Sequence, residues 1–305
     1  MIKVKRNPDE IIKELKRKGE VIPCINDRVF KSILEDKEME GILSFIIVGI
    51  TDLSEEEVYG NIKIVNSEEM IDNITNKRNS HDIKILINKN YILLEMNQSN
   101  YDSTKFRNTI HFHEGIVKNT KVADNYNDMG RVLQISFDNE RPYSNELIST
   151  VMMMDVKNHI IDKAEEYFIK YYINLPKVRK LRYNINELSR LEKILLIITE
   201  KKKDILREIS KGDKELELMV KKIEKLSEDP YLVSYFDEEK IEKIGKEMDI
   251  ERAKKEGHSS GYSEGHSSGI KEEKIETAKK MIEEKIDISI IAKITGLSKD
   301  EIENL

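Results

Sequence analysis

The chain has little of what staples a protein or carries it across a membrane. Among 305 residues there is a single cysteine, Cys24. One thiol excludes an internal disulfide framework and fits a reducing cytoplasm, where the protein is expected to reside. No histidine lies near Cys24 in sequence, so it reads as a small part-buried side chain rather than a nucleophile. No window approaches the roughly 18 apolar residues of a membrane helix; the greasiest piece is Phe45-Ile46-Ile47-Val48. The opening MIKVKRNPDEIIKELKRKGE is too charged to be expected to act as a secretory signal. HExxH, CxxC and GxGxxG elements are absent. A positive excess is absent too: 52 Lys and Arg against 58 Asp and Glu give a net charge of −6, so DNA contact would need a local basic patch.

What is present is charge and periodicity. With 36% charged and 38% hydrophobic residues, the composition predicts a soluble protein with much exposed helix, long enough for two domains. The most informative stretch is Ser80–Asn100. Ile83, Ile85 and Ile87 alternate with Asp82, Lys84 and Leu86, and Tyr91, Leu93, Glu95 and Asn97 alternate with Ile92, Leu94 and Met96. Period-two patterning around the polar Asn88-Lys89-Asn90 predicts a β-hairpin. Setting Asp82 opposite Glu95 pairs Lys84 with Leu93 and Leu86 with Tyr91, and leaves a four-residue loop, Ile87–Asn90. That register gathers two carboxylates at one end of the hairpin, and with a backbone carbonyl they suit a hard cation such as Mg²⁺ or Mn²⁺. A solvated amphipathic hairpin carries the same pattern, so the rest of the chain has to weigh in.

Asn26 or Asp27 can cap a helix in which Phe30, Ile33, Leu34, Ile42, Phe45 and Ile46 recur. Ser54 and Glu57 have capping-box spacing, and Ile62–Val65 reads as a strand. After the hairpin, Ser103–Asn119 predicts a helix with an apolar stripe of Phe106, Ile110 and Ile116/Val117. His111 and His113, two apart, point about 200° from each other on that helix and are rejected as a metal pair. Val132–Phe137, Ile148–Met154 and Glu166–Leu175 read as further strands. Lys177, Arg179, Lys180 and Arg182 form a dense basic cluster, readable as a phosphate patch or as solvated charge. Asn186–Met248 turns to helix formers, broken at Asp229-Pro230. EGHSSGYS followed by EGHSSG, over Glu256–Gly269, reads as a flexible repeat linker. The end of the chain has helix-turn-helix offsets around Gly296, with Ser298 and Glu301 as a capping box, but Asp300, Glu301 and Glu303 face a single Lys299. Such a helix repels phosphate, so an assembly module is expected there.

Taken in order, these motifs resemble the recombination-promoting nuclease and transposase family of the PD-(D/E)xK superfamily. The motifs are N-D-x-x-F-K at Asn26–Lys31, Asp82 followed by Glu95-Met96-Asn97, L-P-K at Leu175–Lys177, the glycine repeat, and T-G-L-S at Thr295–Ser298. The resemblance implies an α/β (α+β) fold with a mixed central sheet flanked by helices, then an all-helical C-terminal region. It implies a nuclease-like domain over 1–183, a helical region over 184–250, a linker over 251–270 and a helical tail over 271–305. It also implies metal-dependent DNA cleavage associated with mobile DNA or phage defence. The implied metal ligands are Asp82, Glu95 and the Met96 carbonyl. Asn97 takes the third catalytic position, Asp27 and Gln98 support the site, and Lys105, Arg107, Lys177, Arg179 and Lys180 are the implied DNA contacts. One departure stands out. Asn97 is shorter than the family's usual Gln and uncharged, and Gln98 faces the other way unless a bulge turns it. A catalytically weakened DNA-binding or assembly protein, homo-oligomeric through its helical end, is therefore the competing expectation.

Overall fold

The computed structural model describes residues 6–65, 83–98, 102–122, 129–236, 269 and 271–305. Asp82 and most of the Glu256–Gly269 repeat lie outside the described residues. Two units divide the chain, Met1–Asp237 and Glu238–Leu305.

The first unit begins with α1 (Pro8–Lys18) and α2 (Asp27–Leu34). Asn26 caps α2: its side chain accepts from the Arg28 and Val29 N–H groups, as its place before an amphipathic run predicts. The periodic run does not continue as one helix. It breaks after Leu34 and resumes as α3 (Glu40–Ile50), because Asp36 caps a short 3₁₀ turn between them. Ser54 and Glu57 form the expected capping box of α4 (Glu55–Val58).

A six-stranded mixed sheet follows, with strand order β1-β2-β3-β4-β6-β5. Its strands are β1 (Ile62–Ile64), β2 (Ile83–Ile87), β3 (Asn90–Asn97), β4 (Val132–Asp138), β5 (Ile148–Val151) and β6 (Phe168–Asn174). The hairpin register is the one read from the sequence: Ile83 pairs with Leu94, Lys84 with Leu93 and Leu86 with Tyr91. Its loop is tighter than expected. Ile87 pairs with Asn90, leaving only Asn88-Lys89 to turn, with Asn88 at φ 54°; asparagine tolerates that left-handed region. From β3 the chain crosses through α5 (Asp102–Val122) to the parallel strand β4, and β6 is parallel to β4 in turn. β6 stops at Asn174, short of the expected L-P-K end. Asn174 caps α6 (Leu175–Lys180) by accepting from the Lys177 N–H, and Pro176, which has no N–H to give, falls in the first turn. β5 likewise ends at Val151 rather than Met154.

Helices α7 (Arg190–Thr199), α8 (Lys203–Ser210) and α9 (Lys214–Leu226) contribute Ile194, Leu195, Ile198, Leu206, Leu216, Met219 and Ile223 to the same apolar core as α2, α3 and one face of the sheet. Cys24 is wholly buried in that core, deeper than expected, and desolvation lifts its thiol far above the usual cysteine range. Among the described residues, no helix is long and apolar enough to cross a membrane.

The second unit is described over α10 (271–283), α11 (Ile288–Thr295) and α12 (Lys299–Glu303). Ala278, Ile291, Leu297 and Ile302 form its core. Gly296, at φ 71°, ends α11 in the left-handed conformation glycine adopts without strain, and Ser298 with Glu301 caps α12.

Candidate active site

The site is built by strand alternation. On β3, Ile92, Leu94 and Met96 enter the main core, and on β4, Leu133, Ile135 and Phe137 do the same. The intervening residues are Leu93, Glu95 and Asn97, then Gln134, Ser136 and Asp138, and all of them are buried on the other face. The parallel register sets Glu95 beside Ser136 and Asn97 beside Asp138. The helix α5 lies over them. Gly115 allows the approach, since a Cβ there would stand 3.1 Å from Leu93 Cδ1 and 3.3 Å from Val132 Cγ1.

The phase of α5 overturns the sequence expectation. The stripe Phe106, Ile110 and Val117 faces outward, 71%, 54% and 54% exposed. The buried face carries Asn108, His111, Phe112 and Asn119 instead. Polar groups point inward because the strands beneath present polar groups to be met.

Those groups form a network. His111 Nδ1 lies 3.0 Å from Glu95 Oε1, with both side chains 1% exposed. An Nδ1–H there donates to the carboxylate and fixes its rotamer. Asn108 Nδ2 donates to Asn97 Oδ1 at 3.0 Å, and Asn97 Nδ2 donates to Asp138 Oδ1 at 2.9 Å. Gln134 Nε2 donates to the Asn108 carbonyl at 3.0 Å. Burial raises the Asp138 carboxyl to about 6, against the lowering effects of Asn97, the Tyr143 N–H and the Lys105 charge. His111 and His113 do part company as the helical spacing predicts, since His113 is exposed and its Nδ1–H donates to the Thr109 carbonyl. The spacing argument disposed of the pair, and the partnership of His111 alone with Glu95 went unread. The signal was the inward series Asn108, His111, Phe112, Gly115 and Asn119, at helical intervals. Asp138 was missed because it ends a hydrophobic strand whose pairing with β3 is long-range.

The remaining candidates fall as follows. Asp27, at the start of α2, is raised by burial; Lys31, Arg107 and Gln98 lower it, and the negative charge of Glu95 raises it, so the two carboxylates share one neighbourhood. Asp27 Oδ1 is buried with no hydrogen-bond partner. No bulge turns Gln98 round: β3 pairs regularly through Asn97. Gln98 donates to the Ile25 carbonyl and accepts from Asn139 Nδ2 at 3.2 Å, on the side of Asp27. Lys105 and Arg107 are exposed, and their charges reach Asp138 and Asp27. The α6 cluster is not one open patch. Arg179 donates to Asn139 Oδ1 and Lys177 Nζ to the Asn145 carbonyl at 2.7 Å, which leaves Lys180 exposed.

Among the described residues, no three His, Cys, Asp or Glu side chains converge to hold a metal. Asp27 and Glu95, each within reach of the other's charge, offer oxygens, the kind a hard cation takes, and Asp27 Oδ1 is buried and unsatisfied.

Residues 271–305 match the family model described as the Rpn/YhgA-like nuclease family, C-terminal HTH domain. The tail is similar to the closing domain of a nuclease family. This supports the resemblance drawn from the ordered motifs. No curated protein and no solved structure matches the chain. Within the helix-turn-helix, Asp300, Glu301 and Glu303 of α12 are all exposed, as is Lys299.

Proposed function

We propose that the protein is a metal-dependent DNA endonuclease, acting on mobile or invading DNA, with Asp82, Glu95 and the Met96 carbonyl holding Mg²⁺ or Mn²⁺. The single observation that carries this reading is Glu95: a carboxylate fixed by His111 inside a buried polar network, and close enough to Asp27 to raise it. The residues divide the work. Glu95 and Asp82 supply anionic oxygen ligands. His111 orients Glu95, as groups around a ligating carboxylate commonly do. Asp27 adds a carboxylate at the edge of the site, and Lys105 and Arg107 bring the DNA backbone to its mouth. A divalent cation bound there would lower the pKa of a water and neutralise the attacked phosphate.

The test is plasmid nicking by the full chain with and without Mg²⁺, beside Asp82→Ala and Glu95→Gln. Cleavage that needs the metal and both carboxylates supports the reading; equal cleavage by wild type and either variant removes the site. One observation favours the second reading, a DNA-binding or assembly protein without catalysis. The Asn97 amide is held at both ends, by Asn108 and Asp138, and so does not orient a water as the third motif position would. The acidic α12 points the same way for the tail, whose role would be pairing of copies rather than sequence reading; light scattering of the full chain and of a variant lacking 271–305 reads that directly.

A further inference from the structure

The charge that Asn97 lacks sits on the neighbouring strand. Lys84 of β2 pairs with Leu93, which places it on the same face as Glu95 and one diagonal step away. It is only 6% exposed. Its backbone carbonyl accepts from the Val65 N–H at 2.9 Å, and among the described residues its side chain forms no ion pair. The charged groups around it are Glu95 of β3, Glu114 and Lys118 of α5, and Lys31 of α2. Lys170, the corresponding lysine of β6, is housed differently: its Nζ lies 4.6 Å from the Phe112 ring centroid and 3.5 Å from Thr109 Oγ1. The stem of Lys84 is buried, and a methionine of similar length would fill its place without bringing a charge into the sheet. Rules of packing are broken in this way where function requires it.

We propose that Lys84 is the cation of the active site, holding a non-bridging oxygen of the scissile phosphate beside Glu95. The proposal rests on the nuclease reading above. In the step it serves, the oxygen of water bonds to phosphorus and the bond from phosphorus to the leaving ester oxygen breaks. The water's proton passes to solvent, and the leaving oxygen takes one from solvent. Lys84 exchanges no proton; its fixed charge, on a largely buried side chain, meets the charge that builds on the phosphate oxygens.

The test uses the full chain, a supercoiled plasmid and Mg²⁺, and compares wild type, Glu95→Gln, Lys84→Met and Lys84→Arg in cleavage rate and Tm. Lys84→Met is expected to lose about 10²–10³-fold in kcat while its Tm stays level or rises, and Lys84→Arg is expected to keep part of the rate. A lysine with a merely structural role gives the reverse signature, a lower Tm with kcat unchanged, and that result overturns the proposal. So does an equal loss in Lys84→Arg and Lys84→Met accompanied by a fall in Tm. Cleavage lost in Glu95→Gln but intact in Lys84→Met sinks the proposal alone; no cleavage by wild type, or the same cleavage by wild type and Glu95→Gln, removes the nuclease reading and the proposal together.

Discussion

The two faces of β3 and β4 are built from the same strands on opposite terms. Toward α2 and α3, Leu94, Met96, Ile135 and Phe137 meet an apolar core. Toward α5, Glu95, Asn97, Gln134, Ser136 and Asp138 meet Asn108 and His111. One face is closed by non-directional burial, which tolerates any well-packed apolar set. The other relies on directional bonds, and it leaves Asn108 Oδ1, Gln134 Oε1 and Ser136 Oγ buried without partners. Unmet polar groups of this kind cost stability and are kept where chemistry needs them. The sheet thus divides folding and function between its faces, and substitutions on each should separate the two.

The largest effect on stability is expected on the apolar face. Phe137 is wholly buried and meets Phe30 edge-on at 5.3 Å between ring centroids. Phe137→Ala should destabilise by about 3–5 kcal/mol in urea unfolding; a loss below about 1 kcal/mol would mean that this face is not the core. Next comes Glu95→Gln on the polar face. The amide keeps a contact for His111 but loses the charge, so Mg²⁺-dependent cleavage should fall by about 10²–10³-fold with the midpoint of unfolding little changed. If activity survives, the division of labour between the faces fails.

How much of this was legible depends on the range of the interactions. The hairpin register followed from local alternation, since a one-residue slip would turn Ile83, Ile85 and Ile87 away from the core. The Ser54–Glu57 and Ser298–Glu301 caps were legible for the same reason, all their partners lying within four residues. The phase of α5 was misread because apolar periodicity assumes an apolar partner surface, and here the surface beneath is Glu95, Asn97 and Gln134. Asp138 and its bond to Asn97 join positions 41 residues apart, through a parallel register that no local pattern encodes. The break after Leu34 was missed because Asp36 caps a turn inside a run whose apolar spacing continues across it.

A smaller effect separates the faces by pH. Burial raises the Asp138 carboxyl to about 6 in the folded chain, from an ordinary value of 3.8. The folded state therefore holds a proton that the unfolded state has released between those values. The stabilising contribution is complete below the unfolded value and is lost as pH climbs through about 6. Asp138→Asn keeps an acceptor for Asn97 and removes the titration. The variant should gain on the order of 3 kcal/mol over wild type at pH 7 and nothing at pH 3.5. A wild-type stability that does not fall between pH 4 and 7 relative to the variant would show that Asp138 is not desolvated.

The smallest effect gives the comparison its sign. Ile135 and Ser136 are neighbours on β4, both buried, one on each face. Ile135→Val removes one methylene from a packed core and should cost about 0.5–1.5 kcal/mol. Ser136→Ala removes a hydroxyl whose oxygen has no partner, and a buried polar group without one is unfavourable by about 1–3 kcal/mol. Alanine fills nearly the same space, so Ser136→Ala should be neutral or stabilising by up to about 1 kcal/mol, with the loss of the hydroxyl's packing contacts offsetting part of the gain. Urea unfolding of the two variants side by side reads opposite signs if the faces differ as described. Should Ser136→Ala destabilise as much as Ile135→Val, the hydroxyl has a partner that matters, and the polar face is a satisfied core rather than one held open for a ligand.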